Sequence, residues 1–248
     1  MKPIFLTPPQ IIDLTHPIHS GMPHWPGDPQ TRLTLVSTRE AEGYLLHRLE
    51  IGEHSGTHLG APIHMASDGA SVEQIAPDRL FCQAFCLDCR RFCQENSDFL
   101  LSAEQIIAWE AQNSKIDHGA LVLILTGWSE FWHLPERYLG HLSAGQGVFP
   151  GIGVGAAEYL VQERRVSGLG IDSAGIDGGK DQAFSVNRYL AEHDVFHLEN
   201  LAALHRLPAC GAWIFIGALP LCQGSGSPCR VLALLPSPEQ DRIHRPLT

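Results

Sequence analysis

The sequence predicts a single α/β domain built on a mixed sheet, and three observations predict it. Short apolar and β-branched runs recur along the chain, and Ala120-Leu121-Val122-Leu123-Ile124-Leu125 has the unbroken hydrophobicity of a strand covered on both faces. Segments with helical periodicity lie between these runs, the pattern of strands and helices that share one core. No composition break or low-complexity linker interrupts residues 1–248, a length at the upper end of one domain.

Bulk composition narrows the function. A hydrophobic content of 44% is ample for a core, and 17 Lys and Arg against 27 Asp and Glu give a net charge of -10. There is no basic run to track a phosphate backbone, so nucleic acid is excluded as a partner. No segment approaches the 18 apolar residues of a membrane span. The apolar run near the N-terminus, Ile4-Phe5-Leu6, is too short for a signal peptide. Seven cysteines, an odd number, suit reduced thiols better than a disulfide framework. A soluble cytoplasmic protein is expected.

In chain order, Ile11 to Thr15 reads as a short strand, and Gly21 to Pro29 as a loop, given its three Pro and two Gly. That loop carries Trp25, an aromatic costly to leave in solvent, which places it against the core or at the border of a pocket. Leu33–Thr38 and Tyr44–Ile51 are β-rich. Ser102-Ala103-Glu104-Gln105 is a capping box that starts a helix ending near Asn113. Gly153 to Arg165 suits a helix, Val166 to Ile171 a strand, Arg188 to Glu192 a short helix, and Val195 to Glu199 a strand. Leu201 to Leu204 reads as a helical turn, and Trp213–Ala218 and Arg230–Leu235 as closing strands.

Three features carry possible chemistry. His54, His58 and His64 fall within eleven residues, around a Gly-Thr and an Ala-Pro that argue against a helix. Imidazole is the commonest protein ligand for transition metals and the base most easily poised near neutral pH. With 14 His in the chain, crowding alone is not a specific signal. Cys82, Cys86, Cys89 and Cys93 are spaced four, three and four apart. They would form one stripe on a helix but fit a half-buried strand and turn equally well. Gly151-Ile152-Gly153-Val154-Gly155 lacks the spacing of a nucleotide loop and reads as a helix entry.

Taken in order, the motifs resemble the cyclase-like metal hydrolase family that includes bacterial kynurenine formamidase and isatin hydrolase. Ile12-Asp13-Leu14-Thr15-His16-Pro17 and Pro26-Gly27-Asp28-Pro29 look like its opening strand and loop. His54-x-Gly56-Thr57-His58-x-x-Ala61-Pro62-x-His64 is similar to its signature His-x-Gly-Thr-His-x-Asp-Ala-Pro-x-His. Thr126-Gly127-Trp128, Gly170-Ile171-Asp172 with Ile176-Asp177, Glu199-Asn200-Leu201 and Leu219-Pro220-Leu221 follow in family order.

The resemblance implies a swivelling β/β/α fold and a site for one or two divalent metals, zinc or manganese. His54 and His58 match ligands of the first metal and Glu199 a carboxylate shared between metals. His64 matches the proton donor and acceptor, and Trp25 an aromatic against the substrate ring. The pattern breaks where the bridging Asp is Gly60 and where a His is Asn187. The second metal site is therefore expected to be lost, leaving one ion, zinc ahead of manganese, on His54, His58 and Glu199.

The expected function is hydrolysis of a C–N bond in an aryl formamide or cyclic amide, a step of the kind used in tryptophan catabolism. The alternative is a catalytically impaired binding or regulatory protein on the same scaffold. A replacement ligand could come from Asp172, Asp177, His193 or His197, and His197 alternates with Glu199 on one strand face. Trp25, Trp128 and Phe131 suggest a small aromatic substrate, and the resemblance implies a homodimer or homotetramer.

Overall fold

The computed structural model describes residues 10–140 and 147–235; residues 1–9, on which the signal-peptide reading rests, lie outside that range. Twelve strands occur among the described residues: β1 (Gln10–Asp13), β2 (Arg32–Ser37), β3 (Leu46–Glu50), β4 (His58–Gly60), β5 (Phe81–Asp88), β6 (Leu100–Leu101), β7 (Leu121–Leu125), β8 (Gly151–Ile152), β9 (Gly168–Ile171), β10 (Phe196–Glu199), β11 (Cys210–Ala218) and β12 (Gly226–Leu235). The α-helices are α1 (Arg39–Glu42), α2 (Arg90–Glu95), α3 (Ala103–Gln112), α4 (Pro135–Tyr138), α5 (Val154–Glu158) and α6 (Ser185–Glu192).

Eight strands form the main sheet in the order β1-β12-β11-β5-β7-β9-β10-β4, and β4 also pairs with the start of β12. That second pairing closes seven strands into a barrel-like ring, with β1 alongside the far half of β12. β5, β7, β9 and β10 run parallel, while β4, β11 and β12 pair antiparallel. This is the mixed sheet with flanking helices that the sequence predicts.

The parallel strands need cover on both faces, and β7 has it, with all five residues buried. Leu121, Leu123 and Leu125 pack with Leu59, Leu198, Ile214 and Val231 in one core. Val122 and Ile124 pack with Ile106 of α3, Ala156 and Ala157 of α5 and Leu190 of α6 in the other. Two-fold side-chain alternation along β7 therefore places one strand between two apolar layers.

Local signals and structure agree where the signal is local. Ser102 caps α3, its side chain accepting from the Gln105 amide while Gln105 accepts from the Ser102 amide, and α3 ends before Asn113. They part where pairing decides. β12 begins at Gly226, four residues before the apolar run, because Gly226–Pro228 pair with β4. The helical turn read at Leu201–Leu204 is instead a 3-10 turn at Leu204–Arg206, and α6 starts earlier, at Ser185. Among the described residues β2 and β3 pair only with each other, and they leave Leu33, Leu35, Val36, Leu46 and Leu49 exposed. No helix among the described residues is long and apolar enough to cross a membrane.

The four clustered cysteines do not converge. Cys82 and Cys86 lie on β5 and pack in one core, whereas Cys89 and Cys93 lie at the start of α2 and pack in the other. Burial pushes the Cys82 thiol up to about 11 and the Cys86 thiol to about 12. They are packing residues in their neutral form.

One buried ion pair ties α3 to the π-helical turn that continues α5. Arg164 donates to both carboxylate oxygens of Glu110, at 2.6 and 2.8 Å, and Tyr159 and the Ile116 amide donate to the same group. Burial alone would raise the Glu110 carboxyl, but these donors hold it at about 2, below its ordinary 4.5. The stabilisation is therefore present above pH 4.5 and is lost as pH falls towards 2. Glu110→Gln should cost about 3 kcal/mol at neutral pH, measured by urea unfolding, and the penalty should shrink as the pH is lowered through that window.

Candidate active site

The site is set by the pairing of two short strands. β4 and β10 run antiparallel with His58 opposite Glu199, Leu59 opposite Leu198 and Gly60 opposite His197. Alternation turns Leu59 and Leu198 into the core and leaves His58, Gly60, His197 and Glu199 on the other face. A cavity of about 300 Å³ opens there, lined also by His54, His64, Trp25, Asp28, Asn187 and Asn200. The five residues that the resemblance assigns to the site, His54, His58, His64, Glu199 and Trp25, all border this one cavity.

Hydrogen bonds fix the electronic form of His58. Its Nδ1 lies 2.9 Å from the carbonyl oxygen of Gly56, an acceptor only, so Nδ1 carries the proton. Gly56 adopts φ +65, which suits glycine, and its carbonyl also accepts from Asn200 Nδ2 at 2.9 Å. Asn200 in turn accepts from Tyr138 at its side chain and from Thr57 at its backbone. His58 Nε2 is buried and without a hydrogen-bond partner, 3.3 Å from Glu199 Oε2.

Glu199 is held as a carboxylate. Burial would raise its pKa, and the Ile176 amide, which donates to Oε1 at 2.7 Å, acts against that and brings it down. An imidazole nitrogen and a carboxylate oxygen face one another across 3.3 Å. Such a pair calls for a proton or a metal cation between its members.

His54, His64 and His197 are neutral at pH 7. Burial, helped by the neighbouring imidazoles, pushes His54 down to about 2, and burial pushes His197 down to about 4 and lowers His64. Ser225 gives its hydroxyl proton to Glu53 at 2.6 Å, so it accepts from His54 Nε2 at 3.1 Å, and the His54 lone pair is on Nδ1. The His54 ring lies 3.9 Å from that of His64 and 5.2 Å from that of His58. Among the described residues no three His, Cys, Asp or Glu side chains already stand as a ready-made metal cage. The donors adjoin one cavity without yet converging on a point.

Both departures from the signature have a structural outcome. A side chain begun at Gly60 would meet His197 Cε1 and Nε2 at 2.3 Å, so the imidazole occupies the space of the absent Asp. Asn187 gives its Nδ2 to Asp177 at 2.9 Å, leaving Oδ1 buried in the cavity wall without a partner. Asp177, one of the candidate replacement ligands, is buried and accepts the Val186 and Asn187 amides at the start of α6. Asp172 binds Thr126 and Gly127, and His193 ends α6, both away from the cavity.

The aromatic wall differs from the one read in sequence. Trp25 is joined by Phe149 and Phe184, at ring distances of 6.3 and 5.9 Å. Trp128 and Phe131 instead line a separate, more open cleft of about 920 Å³ that has one imidazole, His133. Phe149 and Phe184 sit in stretches without periodicity or motif, so only tertiary structure reveals them. Asp28 was visible as part of Pro-Gly-Asp, but nothing local joined it to the imidazoles.

The Gly60–His197 contact is measurable as a coupling. Gly60→Ala should cost about 2 kcal/mol by overpacking, and His197→Gly should remove most of that cost when the two are combined. A coupling of about 1 kcal/mol or more in urea unfolding is expected, and additive effects would contradict the contact.

The Cyclase family model matches residues 12–178. The isatin hydrolase of Roseibium aggregatum is 32% identical over 219 residues, covering 84% of this chain and 82% of its own. The kynurenine formamidase of Bacillus mycoides is 25% identical, covering 90% and 96%. Isatin hydrolase A from Ralstonia solanacearum superposes with a TM-score of 0.85 at 30% identity, covering 91% of this chain and 92% of that one. The shared barrel-like sheet, the ordered histidines and these relatives together establish that the chain belongs to the Cyclase family.

Proposed function

We propose that the chain is a metal-dependent amidohydrolase that cleaves the C–N bond of an aromatic cyclic amide or an aryl formamide. The observation that carries this reading is the unpartnered His58 Nε2 facing the Glu199 carboxylate at the base of an aromatic-walled cavity. The relatives are named isatin hydrolase and kynurenine formamidase, which agrees with that chemistry.

The donor set fits a divalent ion. Two imidazoles and a carboxylate, the set that His54, His58 and Glu199 offer, are the protein ligands of several catalytic zinc sites, which favours zinc over manganese. A second ion finds little to hold it, since Gly60 has no donor and Asn187 offers one neutral oxygen. The bound ion would supply Lewis acidity, which polarises a carbonyl and makes hydroxide available near neutral pH.

The chain's own side chains account for the remaining steps. Trp25, Phe149 and Phe184 give a flat ring an apolar wall and keep water from its faces. Asn187 Oδ1 can accept the amide N–H. His64, neutral because burial lowers its pKa, takes a proton from the water that attacks the carbonyl carbon. It returns that proton to the nitrogen as the C–N bond breaks, leaving an amine and a carboxylic acid. The impaired-scaffold alternative rests on the missing Asp, yet an imidazole fills that space.

The free thiols suit a reducing, cytoplasmic compartment. An assembly of two or four copies, as the family resemblance implies, would have apolar surface to cover on the β2–β3 ribbon. Activity on isatin and on an aryl formamide tests the central reading. His64→Ala should lower kcat by about 10²- to 10⁴-fold with metal content unchanged, and Glu199→Ala should abolish turnover. Wild-type hydrolysis that survives both substitutions would contradict the assignment.

A further inference from the structure

Two glycines and one imidazole occupy neighbouring places on three adjacent strands, and a second imidazole, His54, lies against them from the turn before β4. Gly60 of β4 pairs with His197 of β10 on one side and with Gly226 of β12 on the other. A side chain begun at Gly60 would meet His197 at 2.3 Å, and one begun at Gly226 would meet the His54 ring at 2.5 Å. The glycines are therefore the floor on which the two rings lie. The next pair on the same face of the ladder is His58 and Glu199. His197 Nε2 reaches to 3.6 Å from Glu199 Oε1, while His58 Nε2 approaches Oε2 of the same carboxylate at 3.3 Å.

We propose that His197 is a fourth protein ligand of the metal, standing where the signature Asp would stand, so that the centre has three imidazoles and one carboxylate. This rests on the metal-dependent reading above and extends it to the choice of metal. Exchange of a carboxylate for a neutral imidazole removes one negative charge and one hard oxygen donor. Imidazole suits zinc, nickel and copper, whereas carboxylate and water suit manganese and magnesium. The substitution of Gly60 and the position of His197 act together to move the site towards zinc and away from manganese. Gly60 is then no defect in the motif, since any side chain there would displace the ligand.

The test is equilibrium binding of zinc and of manganese to the metal-stripped full chain, by competition with a chromophoric chelator, with far-ultraviolet circular dichroism as the check on folding. His197→Gln, which nearly preserves volume, should weaken zinc binding at least about tenfold, the loss that even an outer-shell partner causes. In Gly60→Asp/His197→Ala the carboxylate regains the vacated space, so zinc binding should recover and the manganese-to-zinc affinity ratio should rise at least about tenfold. This second variant carries the test if His197→Gln fails to fold. Zinc affinity unchanged in His197→Gln, or an unchanged ratio in the double variant, overturns the assignment of His197 and leaves the metal reading standing. Wild type that takes up no zinc overturns both.

Discussion

The site depends on the register of one antiparallel pair. With β4 and β10 aligned as they are, His58 meets Glu199 and Gly60 meets His197. A slip of one residue would turn Leu59 and Leu198 towards the cavity and all four polar positions towards the core. The register is fixed because those leucines are fully buried and because β4 is held on its other edge by β12. Barrel closure and site assembly are thus one event, which explains why so short a strand can carry two of the site's key positions.

Electrostatics and hydrogen bonding then prepare the side chains. Burial removes water that would stabilise imidazolium, so His54, His64 and His197 stay neutral and keep a lone pair for a cation or a proton. The Tyr138–Asn200–Gly56 chain orients the His58 ring, whose Nε2 faces Glu199. One isolated carboxylate in such a place would be costly, and the Ile176 amide offsets part of that cost. A network of this kind fixes the direction of each donor before any ligand arrives.

Much of this was legible in the sequence. His54, His58 and His64 announced themselves by proximity, Glu199 and Trp25 by their place in an ordered set of motifs, and β7 and α3 by apolar run and capping box. Strand parity pointed to His197, but its lodging over Gly60 depends on a pairing between positions far apart in sequence. The same limit hid the early start of β12, where Gly226 and Pro228 look like turn residues until β4 is beside them. Trp128 and Phe131 drew attention as aromatics that follow the central strand, yet they serve another cleft, while Phe149 and Phe184 complete the cavity from unpatterned stretches.

The account stands on a metal held through His58. Elemental analysis of wild type and His58→Ala, both purified without chelator, addresses it most directly. The account predicts close to one zinc ion per chain in the wild type, as in a mononuclear catalytic site, and its loss from the variant. Absence of metal from the wild type, or metal retained undiminished in His58→Ala, would contradict it.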